Sequence, residues 1–291
     1  MTEDPFVTHR RLLFTVAYEI LGSVSDAEDV VQETWLRWSD VDQDEVRDPR
    51  AYLVQVVTRQ ALNRLRSRAR RREEYVGEWL PEPVLTSPDV AEDVVLAESV
   101  SMAMLTVLET LNPTERAVFV LREVFDVPYD EIAAAIEKSP DAVRQIAHRA
   151  RRHVGARRPR IEVRHNEQRR VVEKFITAAK SGDLYGLMEA LAPDVVMVTD
   201  SGGLVPAVRL PVEGAEKVAT LLTRFADVPE SFAVSTVWLN GAAAVRIDRD
   251  GQLDTAVSLV VADELIVSIY AVRNPQKLNG VAEEQVLTRL R

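Results

Sequence analysis

The sequence predicts a multidomain protein: two all-α domains followed by an α+β domain. Three observations predict it. Apolar residues recur at close to a 3.6-residue period through residues 5–75 and again through 95–155. Pro81, Pro83 and Pro88 interrupt the two stretches, so 77–94 cannot be one regular helix and reads as a linker. From about residue 165 helical segments give way to short apolar runs separated by Asn240-Gly241 and Asp250-Gly251, strong hairpin signals.

Taken in order, "HRRLLFTVAYEIL" places Leu12, Leu13, Val16, Ala17 and Ile20 on one helical face. "GSVSDAEDVVQETWLRW" begins a second helix, with Ser25 as the expected cap and acids in the first turn. "DPRAYLVQVVTRQALNRLRSRARRR" starts at Pro49 and meets no breaker. Its stripe of Leu53, Val57, Ala61 and Leu65 faces inward, while Arg59, Asn63, Arg66 and Arg70 form a basic ridge opposite. "LNPTERAVFVLREVF" carries Asn112 as cap, Pro113 at the first position and Glu115 three residues on, resembling a capping box. Two short helices follow in "VPYDEIAAAIEKSPDAVRQIAHRARRHV". Ser139 caps the second, which buries Val143, Ile146, Ala147, Ala150 and Val154. Arg144, Gln145, His148, Arg149, Arg151 and Arg152 face out. Two short helices, a tight turn and a basic second helix describe a helix-turn-helix. Beyond residue 165 come two helices broken at Ser181-Gly182, one more at "AEKVATLLTRFA", and an antiparallel meander.

The 291 residues suffice for two or three domains of roughly 100–150 residues each. The acidic opening "MTEDPFVTHRRLLF" does not read as a signal peptide, and no run is long and apolar enough for a membrane span. With no cysteine, disulfides, thiolate metal sites and a thiol nucleophile are excluded, which suits a cytoplasmic protein. The four histidines lack metal-ligand spacing, and no metal or cofactor is expected.

Charge is segregated, so the formal net charge of -10 is a poor guide to partners. Seven arginines fall between Arg144 and Arg160 with no acid among them, and a second basic cluster occupies 58–72. Arginine pairs bidentately with guanine and glutamine with adenine, so the outward face of 139–154 suits base reading, against the plainer alternative of a solvated basic face. In "GARRPR" (155–160), Gly155 and Pro159 break the helix, so these arginines suit phosphates or a tether. Acidic "DAEDVVQETWLRW" repels DNA and suits a basic protein partner, or is an ordinary amphipathic helix.

"SDAEDVVQETWLRW" with "PRAYLVQVVTRQALNRLRSRARR" resembles region 2 of extracytoplasmic-function RNA polymerase sigma factors, and "LNPTERAVFVLREVFDVPYDEIAAAIEKSPDAVRQIAHRARR" resembles their region 4. "KFITAAKSGDLYGLMEALAPDVVMVTDSGG" resembles a SnoaL-like, NTF2-type cone, which sigma factors of the SigJ type carry fused at the C-terminus. The "WLPEP" motif of that type is present at 79–83, and its C-terminal "NP-x-KL" as Asn274-Pro275-Gln276-Lys277-Leu278. Its "DGGGK" is only partly kept, as Asp200-Ser201-Gly202-Gly203-Leu204, without the lysine.

The resemblance implies region 2 at 1–76, a linker at 77–97, region 4 at 98–156, a second linker at 157–164 and a regulatory domain at 165–291. It implies that Asp26, Glu28, Asp29, Gln32, Glu33 and Trp35 meet the polymerase clamp, with a further contact at the flap. Arg59, Asn63, Arg66 and Arg70 would act at the −10 element; Arg144, Gln145, His148, Arg149 and Arg152 at the −35 element. Trp79, Leu80, Pro81, Asp200, Asn274, Pro275, Lys277 and Leu278 would be regulatory, through an intramolecular contact between the tail and the sigma regions. The expected protein is a non-enzymatic, cytoplasmic initiation factor, monomeric when free, binding core RNA polymerase and promoter DNA but no membrane. One alternative is a one-component regulator with a ligand-sensing cone, which leaves 6–75 unexplained. Another is a SnoaL-like enzyme using Asp194, Asp200, Tyr185 or Tyr270, for which no histidine is available after His165.

Overall fold

The computed structural model describes residues 4–73, 75–157, 165–224 and 232–289, without the side chains of 69–73 and 165–166. The chain divides into two compact units. The first comprises 1–74, 93–158 and 286–291; the second comprises 75–92 and 159–285.

The helical unit begins with α1 (Pro5–Leu21), α2 (Val24–Ser39) and α3 (Pro49–Glu73). Asp4 caps α1 by accepting from Phe6 N at 2.8 Å and also accepts from the indole of buried Trp38, which ties the end of α2 to the start of α1. The α2 cap is Ser23 rather than the expected Ser25: Ser23 Oγ accepts from Asp26 N, and the helix starts one residue before Ser25. Leu53, Val57 and Ala61 of α3 are fully buried as expected, but Leu62 completes that face and Leu65 is only partly covered.

After α4 (Val94–Val100) and α5 (Met102–Leu108) comes α6 (Pro113–Phe119), with Asn112 Oδ1 accepting from Glu115 N at 2.9 Å. Glu115 does not complete a capping box; its carboxylate lies 3.6 Å from Arg149 instead. Next are α7 (Tyr129–Ile136) and α8 (Pro140–Gly155), the helix-turn-helix. Glu137, in the left-handed region at φ 56°, ends α7, and Ser139 Oγ accepts from Ala142 N to start α8. Arg158 and Arg160 lie outside the described residues.

The second unit holds α9 (His165–Ser181), α10 (Leu184–Ala190), β1 (Leu191–Asp200), β2 (Val212–Glu213) and α11 (Ala215–Thr223). It ends in β3 (Phe232–Leu239), β4 (Ala242–Arg249), β5 (Gln252–Ala262) and β6 (Leu265–Val272). The sheet order is β2-β1-β6-β5-β4-β3. The meander is therefore a mixed sheet: β1, which the periodicity leaves unassigned, pairs in parallel with β6. Both central residues of the first two hairpin turns have positive φ, as Asn-Gly and Asp-Gly allow. Asp263-Glu264 makes the third turn with the same sign at both positions, without a glycine.

Alternation along the strands buries both faces. Val195, Met197, Val245, Val257 and Ile269 pack on one side with Val172, Phe175, Val218 and Leu222 of α9 and α11. Ala244, Ala256 and Val272 pack on the other with Leu80, Leu278 and Val281. The second face receives part of the stretch expected as a linker at 77–97. Residues 75–92 are a strap laid on the sheet, with Leu80 1% and Val84 0% exposed. Hydrogen bonds pair the strap at Val84–Asn240, Thr86–Trp238, Leu85–Gly280 and Leu85–Gln285. Burying two such side chains contributes about 3–5 kcal/mol before entropy is counted. By contacts, 286–291 fall with the helical unit.

Candidate functional site

On α8 the burial divides as the pattern predicts. Val143, Ile146, Ala147, Ala150 and Val154 are buried, and Arg144, Gln145, His148, Arg149, Arg151 and Arg152 are exposed. Three of these arginines have acidic neighbours: Arg144 with Asp141 at 2.5 Å, Arg149 with Glu115, and Arg151 with Glu123 at 3.2 Å. Exposed pairs of this kind are weak, so the cations remain available to a stronger anion.

The acidic face of α2 is less free than its composition suggests. Asp26 pairs with Arg68 at 2.7 Å, Asp29 with Arg64 at 2.5 Å, and Glu28 with Arg10 at 2.6 Å. Gln32, Glu33 and Trp35 are exposed, Trp35 at 45% and its neighbour Leu36 at 51%. The same pairs divide the basic cluster of α3: Arg64 and Arg68 neutralise α2, while Asn63 and Arg66 stay exposed. The side chain of Arg70 lies outside the described residues. An open cleft of about 380 Å³, lined among others by Arg37, Tyr52, Gln55, Arg59 and Asn63, adjoins this ridge.

Arg59 is occupied. Its guanidinium donates to Ala134 O at 2.9 Å and Ala135 O at 3.2 Å and lies 3.8 Å from Glu137. Gln55 donates to Ala134 O at 3.2 Å. These carbonyls belong to the last turn of α7, where helix carbonyls lack partners and a cation is favoured. A residue expected at DNA therefore caps the first helix of the helix-turn-helix.

A second link joins the same parts. Glu19 of α1, fully buried, accepts from Ser99 Oγ at 2.9 Å, and Arg116 of α6 donates to Glu19 O at 3.0 Å and to Glu109 at 2.7 Å. Burial pushes the Glu19 carboxyl up to about 8, against the opposing effects of the Ser99 bond and the Arg116 charge. Glu19 Oε2 and Arg116 Nη2 have no hydrogen-bond partner among the described residues.

In the sheet unit the residues expected to be regulatory converge. Asp200, 0% exposed, accepts from Lys277 Nζ at 2.7 Å, Leu80 N at 2.8 Å, Tyr75 Oη at 2.5 Å and Gly202 N at 3.1 Å. Its own carbonyl accepts from Arg273 N and Asn274 N. Lys277 also donates to Leu80 O at 2.7 Å and stands 3.2 Å above the centre of the Trp79 ring. Burial, then the bond to Asp200, pushes the Tyr75 phenol well above its ordinary range. Pro81 is buried beside Leu80, and Leu278 seals the cluster.

The partly kept glycine motif now has a physical reading. A Cβ on Gly202 would sit 2.5 Å from Asn274 Nδ2 and 3.0 Å from Tyr75 Oη, at φ +59°. The position where the resembling motif has lysine is Leu204, 56% exposed and outside the clamp, so its loss leaves the clamp whole. Tyr75 went unremarked in the sequence reading because it falls between the basic helix and the motif.

Sequence reasoning also missed the end of the chain. Arg289 Nε donates to both carboxylate oxygens of Asp93, at 2.7 and 2.9 Å, and Thr288 N donates to Thr15 Oγ1. Asp93 is also the α4 cap, accepting from Leu96 N.

Residues 6–71 match the family description "Sigma-70 region 2" and residues 101–154 match "Sigma-70, region 4". The chain is 36% identical over 301 residues to the ECF RNA polymerase sigma factor SigJ of Mycobacterium tuberculosis, covering 96% of this chain and 94% of that one. It is 32% identical over 280 residues to the probable ECF RNA polymerase sigma factor SigI of the same species, covering 95% and 94%. The crystal structure of the M. tuberculosis SigJ factor superimposes with a TM-score of 0.77 at 34% identity, covering 94% of this chain and 97% of that one. The region 2 match accounts for the segment that a one-component regulator leaves unexplained.

Proposed function

This chain belongs to the extracytoplasmic-function RNA polymerase sigma factors, and from that premise we propose how its surfaces divide the work. As a sigma factor it binds core RNA polymerase and promoter DNA and starts transcription. In our reading α8 enters the major groove at the −35 element, where Arg144, Gln145, His148 and Arg149 read bases and Arg152 holds backbone. Asn63 and Arg66, with Arg70 and a released Arg59, act at the −10 element. Gln32, Glu33 and Trp35, flanked by Asp26, Glu28 and Asp29, meet the polymerase clamp, and region 4 meets the flap. The free protein is a monomer. No helix among the described residues is long and apolar enough to cross a membrane.

We further propose that the C-terminal unit modulates this activity in cis. One observation carries the reading: the only covalent path from α3 to α4 is the strap, and Asp200 and Lys277 hold both the N–H and the C=O of Leu80. Fully extended, the 18 residues from 75 to 92 span about 60 Å. Clamped on the sheet, they restrain the separation of α3 from α8. The Arg59 cap on α7 supports a restrained free form, because two of its five N–H donors tie α3 to the last turn of α7. The clamp thus shifts a population between restrained and separated forms.

The test is reconstituted transcription from a mapped promoter with core polymerase. Specific initiation requires both the chain and the core, and Lys277→Met changes the amount of transcript without changing the start site. Unaltered output with Lys277→Met, in a protein shown to have a loosened strap, would remove the case for modulation in cis.

A further inference from the structure

Glu19 is the sole acid of α1, and it is fully buried. Elements from both halves of the helical unit meet around it. α1 and α3 fall in the region 2 match, whereas Ser99 and Arg116, which bond to Glu19, stand on α4 and α6, ahead of α8. The seam through Glu19 thus divides the helices assigned above to the −10 and −35 elements.

Three observations favour a neutral carboxyl at this seam. Arg116, 1% exposed, already pairs with Glu109 at 2.7 Å, so an ionised Glu19 would put one uncompensated negative charge into a dry site. Arg116 Nε donates to the Glu19 backbone carbonyl, yet Arg116 Nη2 and Glu19 Oε2 both stay without a hydrogen-bond partner among the described residues. A carboxylate beside a guanidinium would take that N–H in a charge-assisted bond. The Ser99 hydroxyl has one hydrogen for two acceptors, Glu19 Oε1 and Leu96 O, each at 2.9 Å. With Glu19 ionised, one of these contacts lacks a hydrogen. With Glu19 protonated, the carboxyl donates to Ser99 Oγ while Ser99 donates to Leu96 O, and both contacts are made.

The other charged groups packed around α1 are already paired. Asp26 of α2 bonds to Arg68 of α3, and Asp29 of α2 to Arg64 of α3. On the turn Val120–Val124, Arg122 pairs with Asp126 and Glu123 with Arg151. At the end of the chain Arg289 pairs with Asp93.

We propose that Glu19 is a proton-controlled latch: its protonated carboxyl holds α1 against α4 and α6, and parting these elements releases the proton to solvent. The latch deepens the restrained and separated forms proposed above and rests on that reading. Once parted, Glu19 is an ordinary carboxyl that ionises near 4.5, whereas burial raises it to about 8 in the closed seam. Between those values the closed form holds one proton more. It is therefore favoured at the acidic end of the window and loses ground as pH rises through it. A partner that takes only the separated form binds more tightly as pH rises.

The test titrates the full chain with core RNA polymerase at a series of pH values, with Glu19→Gln as the reference that cannot ionise. The affinity of the native chain, divided by that of the variant, is expected to rise by up to about tenfold per pH unit between 4.5 and about 8. Calorimetry in buffers of different ionisation enthalpy should show about one more proton released by the native chain on binding. A constant ratio with equal proton release overturns the latch. Labels at exposed Val7→Cys and Lys138→Cys on the same samples tell the two ideas apart. If the labels move apart on core while the ratio stays constant, the latch fails and the separation stands. If they do not move apart, the separation fails and the latch with it. Should Glu19→Gln fold poorly, the free native chain decides. At neutral pH its infrared spectrum must hold a protonated-carboxyl band, and absence of that band overturns the proposal.

Discussion

Replacing Lys277 with methionine removes one charge from a pair whose side chains are 4% and 0% exposed. Methionine replaces the apolar stem and ends one atom short of the ammonium, so the change falls on the charged group. Breaking a buried pair by deleting one partner costs about 3–5 kcal/mol, because the remaining charge is stranded. Here the stranded group is Asp200, which keeps three donors, Tyr75 Oη, Leu80 N and Gly202 N. They offset part of the loss, which places the expected destabilisation near the low end, about 3 kcal/mol. Leu80 O loses its Lys277 bond and Trp79 its cation, so the damage should concentrate at the strap. Limited proteolysis of the full chain reads this as faster cleavage within 75–92, and urea unfolding of the sheet unit reads the energy. Asp200→Asn combined with Lys277→Met should cost less than the sum of the two single changes. A loss below about 1 kcal/mol, with unchanged cleavage of 75–92, would refute the clamp as the element that holds the strap.

Arg144→Ala should weaken binding at one −35 position by about 1–3 kcal/mol and relax base preference there, as read by competition among promoter variants. Uniform weakening would identify a phosphate contact instead. Glu19→Gln should remove a pH dependence of stability. The native state holds the Glu19 proton up to about 8, while the ordinary carboxyl gives it up near 4.5, so stability declines as pH rises between them, on the order of 1 kcal/mol per pH unit. Urea midpoints across that range should fall in the native chain and stay flatter in the variant; parallel slopes would contradict this account. Arg289→Ala should free the terminal peptide, seen as faster carboxypeptidase trimming and a stability loss of about 1 kcal/mol, since the Asp93 pair keeps partial contact with solvent, at 27% and 17% exposure.

Features encoded locally were legible in the sequence. The exposed basic face of α8, the Asn112 and Ser139 caps and the Asn240-Gly241 and Asp250-Gly251 turns each depend on residues within a few positions of one another. Even so, the α2 cap is Ser23, two residues before the expected Ser25, and the bond from Asp26 N to Ser23 Oγ decides it. What remained hidden depends on partners far along the chain. β1 is stabilised by β6, more than 70 residues on. Arg59 looked free because nothing local shows that the α7 carbonyls would meet it. The prolines at 81, 83 and 88 suggested a spacer, yet proline also suits an extended strap, and burial of Leu80 and Val84 decides between them. The resemblance named most of the clamp residues separately, but not that Asp200, Lys277 and Leu80 form one bonded cluster.

The most direct test uses the absence of cysteine, which lets two introduced thiols be labelled uniquely. Val7 on α1 and Lys138 after α7 are exposed and stand outside the residues assigned to DNA or polymerase. Distances between labels at Val7→Cys and Lys138→Cys should show one short population in the free chain. A longer population should appear with core polymerase and promoter DNA, and Lys277→Met should enlarge it in the free chain. The same single distance in all three samples would contradict the claim that the clamped strap restrains the two DNA-contacting regions.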